Sequence, residues 1–152
     1  MLGEAQWSWL EQRLREPADV RLLVSSIQVL AESHGWERWG NLPLERQRLI
    51  RLIGDTGAGG VVILSGDRHF GGYHRRTADA PYPLVEVTAS SFNRPRRDAR
   101  EHDVLQLNEI VTDATFGLVR IDWRARQIML ELHAGDDTTV RTLPVAFSAP
   151  KG

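Results

Sequence analysis

The sequence predicts an α/β domain with two helices, a mixed sheet and a C-terminal antiparallel meander. Three observations predict it. Apolar residues recur at helical spacing over residues 4–16. A short apolar segment at 20–26, a helical segment entered at Pro43 and a continuous apolar run at 61–65 then follow in the order of a βαβ unit. Finally, the tail alternates apolar and polar residues in segments separated by turn residues. With 152 residues, 41% of them hydrophobic, the chain can bury one core, so residues 1–152 are read as a single domain.

Each element has its own signal. Trp7, Leu10 and Leu14 make the buried stripe of the first helix, and Pro17 closes it. Residues 20–26 read as a short strand, and residues 31–42, rich in Trp, Gly and Asn, as a loop. Proline is tolerated in the first turn of a helix, so Pro43 marks an entry. Leu44, Leu49, Leu52 and Ile53 give this second helix its apolar stripe, with Glu45, Arg46, Arg48 and Arg51 on the wet side. Glycines at 57, 59 and 60 break the chain before strand 61–65. Residues 83–88 read as a further strand and 92–112 as a long polar loop, a length that is normally functional or disordered. The meander comprises 116–123, 128–133 and 138–145, with His133 placed on the strand surface.

The most informative segment is Gly66-Asp67-Arg68-His69, directly behind the apolar run Val61-Val62-Ile63-Leu64-Ser65. A buried strand ending this way carries a carboxylate and an imidazole to one sheet edge. If the backbone stays extended, Asp67 and His69 share a side and Arg68 faces the other. A hard oxygen and a borderline nitrogen suit Zn, Mn or Fe, with Ca or Mg as alternatives. The other reading is that Asp67 caps a turn and His69 is an ordinary loop residue. His34 follows strand 20–26, which should lie beside strand 61–65, so its loop opens over the same edge; it is a candidate metal or phosphate ligand. His74 is placed in the next turn.

The arginines have two readings as well. A planar guanidinium matches phosphate oxygens bidentately, which makes Arg68, Arg94 and Arg97, within the run Arg94, Arg96, Arg97, Arg100, candidates for an anionic substrate. Alternatively, Asp98, Glu101 and Asp103 neutralise that loop locally.

Several functions are disfavoured. Nineteen basic against twenty acidic residues give a net charge of -1 and a pI near 6.5, which argues against nucleic-acid binding by bulk charge. The chain has no cysteine, so thiolate metal sites and disulfides are excluded. The glycines at 57–60 lack the Gly-Lys-[Ser/Thr] of a phosphate loop, and Ser25-Ser26 and Ser90-Ser91 lack a Gly-x-Ser-x-Gly elbow. The first residues predict no signal peptide, and no stretch predicts a membrane span, so a cytoplasmic location is expected.

The residues that carry a family resemblance run along most of the chain. They are Met1-Leu2-Gly3-Glu4-Ala5-Gln6-Trp7-Ser8-Trp9-Leu10, Val20 to Gln28, His34-Gly35-Trp36-Glu37-Arg38-Trp39-Gly40-Asn41, Glu45-Arg46-Gln47-Arg48 and Ser65-Gly66-Asp67-Arg68-His69. In this order the chain resembles the C-terminal part of alkaline-phosphatase-D-like (PhoD-type) metallophosphatases, from residue 1 to about residue 130. The resemblance implies a partial metallophosphatase-like sandwich of the αββα type. In that family Gly-Asp-x-His stands where the broader calcineurin-like phosphoesterases carry their last Gly-His-x-His ligand motif. It therefore implies that Asp67 and His69 bind a divalent metal whose activated water hydrolyses a small phosphate ester. The family's upstream ligand segments do not occur in these residues: Gly54-Asp55 and Gly135-Asp136 lack the right followers, and Gly40-Asn41 precedes Leu42 rather than His.

The expected function is a metal-dependent phosphomono- or phosphodiesterase, with Asp67, His69 and Arg68 catalytic; the alternative is an inactive fragment serving as a binding or structural module. Because strand 61–65 is apolar on both sides while two helices cover one face, a face-to-face homodimer is expected, unless the meander covers the other face within one chain.

Overall fold

The computed structural model describes residues 1–147; the last five residues of the expected domain lie outside the described residues. The chain forms helix α1 (Glu4–Arg15), strand β1 (Arg21–Val24), a 3-10 turn (Trp39–Asn41), helix α2 (Pro43–Asp55) and strands β2 (Val61–Ser65), β3 (Gly71–Arg76), β4 (Leu84–Ala89), β5 (Thr115–Asp122), β6 (Gln127–Ala134) and β7 (Thr139–Ala146). Pro43 occupies the first turn of α2 as expected. No helix among the described residues is long and apolar enough to cross a membrane.

The strands form two sheets. One is four-stranded, ordered β1-β2-β4-β3, and the other is the three-stranded meander β5-β6-β7. β1, β2 and β4 run parallel, while β3 returns antiparallel against β4. The expected βαβ unit is therefore present. β3 was not legible as a strand, because it opens with Gly71-Gly72 and ends in Arg75-Arg76. Gly71 is required by packing: a Cβ there would lie 2.8 Å from Leu132 Cδ1 and 3.1 Å from Thr115 Oγ1. This corrects the placement of His74, which sits inside β3 and is buried.

The four-stranded sheet is covered on both faces. Val61 and Ile63 of β2 and Leu84 of β4 pack under the helices with Trp7, Leu14, Leu49, Ile50 and Ile53. Their neighbours Val62, Val85 and Val87, with Tyr73 of β3, pack against Ile128, Leu130, Leu132 and Leu143 of the meander. Alternating residues of one strand thus serve two cores, which explains the unbroken apolar run in β2. The face for which a homodimer is expected is covered within one chain.

Two expected burial patterns change. Leu44 is 77% exposed because the buried stripe of α2 runs through Leu49, Ile50 and Ile53 instead. His133 is buried rather than on the strand surface. Its ring stacks on Phe116 at 5.3 Å between centroids, and its Nε2 lies 2.6 Å from Glu131 Oε2.

β1 is an edge. Its residues pair with β2 on one side, and no second strand neighbours it among the described residues. Leu22 and Val24, in register with Val62 and Leu64, are exposed. An apolar cleft of about 520 Å³ runs along this edge between α1 and β1, lined in part by Leu2, Trp9, Leu10, Leu22 and Val24.

Candidate functional site

The three parallel strands β1, β2 and β4 end on the same side of the sheet, where open α/β sheets usually bind ligands. Ser25-Ser26, the segment 66–69 and Ser90-Ser91 follow those ends. The residues between Ser65 and Gly71 do not stay extended. The Arg68 N–H donates to the Gly66 carbonyl at 2.9 Å and Asp67 has φ 70°. A bond across two residues with positive φ at the centre is a γ-turn of the rare, strained kind. His69, at φ 60°, is also in the left-handed region. The strand parity argument therefore does not apply here; the turn, not a pleat, sets the directions of Asp67 and His69.

Neighbouring elements hold this turn from both sides. The Ser90 hydroxyl accepts the His69 N–H at 2.9 Å, and the His69 carbonyl accepts the Arg96 N–H at 2.8 Å. Among the described residues, neither the Asp67 carboxylate nor the His69 ring has a hydrogen-bond or ion-pair partner. Asp67 is exposed and His69 half-buried. Non-glycine residues in strained conformations, fixed by their surroundings and with free side chains, fit a functional role better than a structural one.

Arg68 points into the protein and is 4% exposed. Its guanidinium forms an ion pair with Glu101 and lies 5.5 Å from the Trp36 ring centroid and 5.6 Å from that of Phe70. Burial, and then the like charge of Arg96, draw its pKa below the ordinary guanidinium value.

Behind the turn lies a buried polar layer that the sequence did not reveal. The Ser65 and Thr88 hydroxyls are 2.9 Å apart, Thr88 accepts from Gln28 Nε2 at 2.9 Å, and Gln28 Oε1 is 2.8 Å from His34 Nε2. The Trp36 N–H donates to His34 Nδ1 at 3.2 Å, so Nε2 carries the proton and donates to Gln28. Both His34 nitrogens are thereby engaged, which leaves the ring no lone pair for a metal in this arrangement. Burial, reinforced by Arg68 and Arg38, lowers its pKa to about 4.

Glu86 is fully buried in β4 and accepts the N–H groups of Val29 at 2.9 Å and Leu30 at 2.7 Å. His74 stands opposite it in register across β3 and β4. Burial raises the Glu86 pKa and lowers that of His74. Asp103, from the long polar loop, accepts the N–H groups of Glu32 and Ser33 at 2.6 Å each and so ties that loop to residues 28–34.

The loop arginines separate by partner. Arg97 pairs with Asp113 at 3.1 Å in solvent, and Arg100 donates to the carbonyls of Arg97 and Ala99. Arg94 is exposed. Of the local neutralisation foreseen for this loop, the Asp98–Arg96 contact at 3.7 Å is present, whereas Glu101 pairs with Arg68 outside the loop and Asp103 accepts backbone N–H groups of Glu32 and Ser33.

Asp67 and His69 fit a divalent metal in chemistry: one hard oxygen and one imidazole nitrogen, both free. They fall short in number. Hydrolytic metal centres ordinarily rest on three protein ligands with a position left open, and no group of three His, Cys, Asp or Glu residues among the described residues is placed to hold an ion.

A family model described as PhoD-like phosphatase matches residues 1–131. A solved structure described as "Structure of PhoD" superposes with a TM-score of 0.72 at 15% identity, covering 95% of this chain. The chain spans 32% of the length of that structure, and at this identity the likeness shows the fold alone. No curated protein matches the chain.

Proposed function

Because the chain belongs to the PhoD-like phosphatase family, we propose that it forms part of a metallophosphatase sandwich and serves the metal-dependent hydrolysis of phosphate esters. Asp67 and His69 contribute two ligands to that site, and the remaining ligands come from outside the described residues. The observation that carries this reading is the strained turn at 66–69. It presents two unpartnered ligand side chains at the carboxyl ends of three parallel strands. Zn, Mn or Fe suits this oxygen and nitrogen pair best.

The count of ligands favours a second reading, in which the chain by itself is an inactive binding module of the same family. Calorimetric titration of the purified chain with Mn²⁺ and Zn²⁺, beside hydrolysis of an aryl phosphodiester with and without chelator, separates the two. The hydrolase reading expects chelator-sensitive turnover that is lost in both Asp67→Asn and His69→Ala. Metal binding without turnover supports the module. Undiminished turnover in either variant removes that residue from the site.

A further inference from the structure

Arg96 is fixed from two directions, which sets it apart from its neighbours in the loop. Its N–H is bonded to the His69 carbonyl at 2.8 Å, and its guanidinium carbon lies 4.9 Å from the centroid of the Trp36 ring. Trp36 is 50% exposed, so one part of its ring stays open to solvent beside the guanidiniums. Arg68 approaches the same ring at 5.5 Å. Two guanidiniums thus converge on one indole beside the turn that carries Asp67 and His69.

The carboxylates around them are unevenly engaged. Glu101 pairs with Arg68. Asp98 is 3.7 Å from Arg96 and largely exposed, the kind of pair that contributes little. Asp67 and Glu37 act on Arg68 only through space. Arg38, also nearby, is committed to the carbonyls of Glu32, His34 and Trp36. One guanidinium of the converging pair, that of Arg96, therefore lacks a firm counter-charge. Like charges repel, and an oxyanion at the half-exposed Arg96 guanidinium would supply the counter-charge that Asp98 gives only weakly. A guanidinium held over an aromatic face keeps its in-plane N–H groups for such a ligand.

We propose that Arg96, braced by Trp36 and backed by the buried Arg68–Glu101 pair, forms an anion shelf beside Asp67 and His69 that takes the phosphate oxygens of the substrate. The site is one of positioning and specificity, and its ligand class, a phosphate ester or free phosphate, rests on the phosphoester reading above.

The test uses the whole chain in chelator, with inorganic phosphate as probe, followed by calorimetry and by the NMR shifts of the tryptophan indole N–H groups. Omitting metal keeps this outcome distinct from that of the metal reading: phosphate binding without metal affinity would leave the shelf standing and remove the metal site, and the converse would do the reverse. The expected result is saturable binding that moves the Trp36 indole signal, identified by its loss in Trp36→Phe. Arg96→Ala should weaken binding about tenfold, the loss of one charge-assisted contact. Arg96→Lys, which keeps the charge without the planar fork, should restore only part of it, and Arg124→Ala, in an exposed turn far along the chain, should leave it unchanged. Phosphate binding that is absent, or equally strong in Arg96→Ala, overturns the proposal. Full rescue by Arg96→Lys would reduce the shelf to bulk charge and overturn the role of the stacked fork.

Discussion

The carboxylate of Glu86, in the middle of β4, accepts the backbone N–H of Leu30 at 2.7 Å. Through this bond and the matching one from Val29, a strand interior dictates the path of the loop that carries His34 and Trp36. Replacing Glu86 with Ala strands two buried N–H groups without partners. At roughly 1–3 kcal/mol for each unsatisfied group, the variant should lose about 3 kcal/mol of stability. Urea denaturation measures it, and a loss below about 1 kcal/mol would show that water takes over the bonds.

His34 and His74 make the fold sensitive to acid. Burial, with Arg68 and Arg38 nearby, lowers the His34 pKa from 6.5 to about 4, and burial lowers that of His74. Both rings are neutral when folded and take up protons more readily when unfolded. Stability should therefore fall as pH drops below 6.5, with the His34 contribution exhausted near pH 4. Glu86 opposes this trend: its raised pKa makes the folded state bind a proton more tightly, so its share of stability diminishes as pH rises above 4.5. In melting temperatures measured against pH, His34→Gln should flatten the slope between pH 6.5 and 4. An unchanged slope would assign the acid sensitivity elsewhere.

Gly60 should tolerate no side chain. It has φ +65°, and a Cβ would lie 2.0 Å from the Asp19 carbonyl oxygen, where the chain enters β1. Left-handed strain of roughly 1–3 kcal/mol adds to a backbone clash that only movement of 19–20 relieves. Gly60→Ala should destabilise the fold by about 3 kcal/mol or more. Gly135→Ala, with open space around its Cβ, is the matched control; similar melting temperatures for the two would contradict the packing at Gly60.

The γ-turn at Asp67 predicts a conflict between stability and function. Asp67→Gly removes the strain of a positive φ, partly offset by the greater freedom of glycine in the unfolded chain. A net gain of about 1 kcal/mol is expected, together with loss of metal affinity. Chemical denaturation and metal titration of the same variant read the two effects. A destabilised Asp67→Gly would mean that the carboxylate supports the turn.

Regular elements were legible where one residue type settles the local choice. Pro43 fixed the start of α2, the apolar run 61–65 fixed a strand buried on both faces, and Gly135-Asp136-Asp137 fixed the last turn of the meander. β3 escaped because Gly71 is selected by Leu132 and Thr115, which lie far along the chain. The segment Gly66-Asp67-Arg68-His69 was legible as a candidate site, but not its shape: the turn depends on Ser90 and Arg96 holding His69. The burial of Glu86 and Thr88 was not foreseen, since nothing in the sequence shows that the loop at 28–30 needs acceptors. The one available signal was their position among Leu84, Val85 and Val87, in a strand too apolar to have a solvent face.

The ladder of the parallel sheet stops at β1, whose outer amide and carbonyl groups meet no strand among the described residues, and whose Val24 side chain is 77% exposed. Such a margin is a template on which any extended apolar segment can add a rung. In this molecule that margin is four residues long, Arg21–Val24. As the protein is concentrated, growth should begin there, edge to edge, before the core is ever exposed. A single lysine in place of Val24, which packs in neither core, is the smallest change that would close the margin.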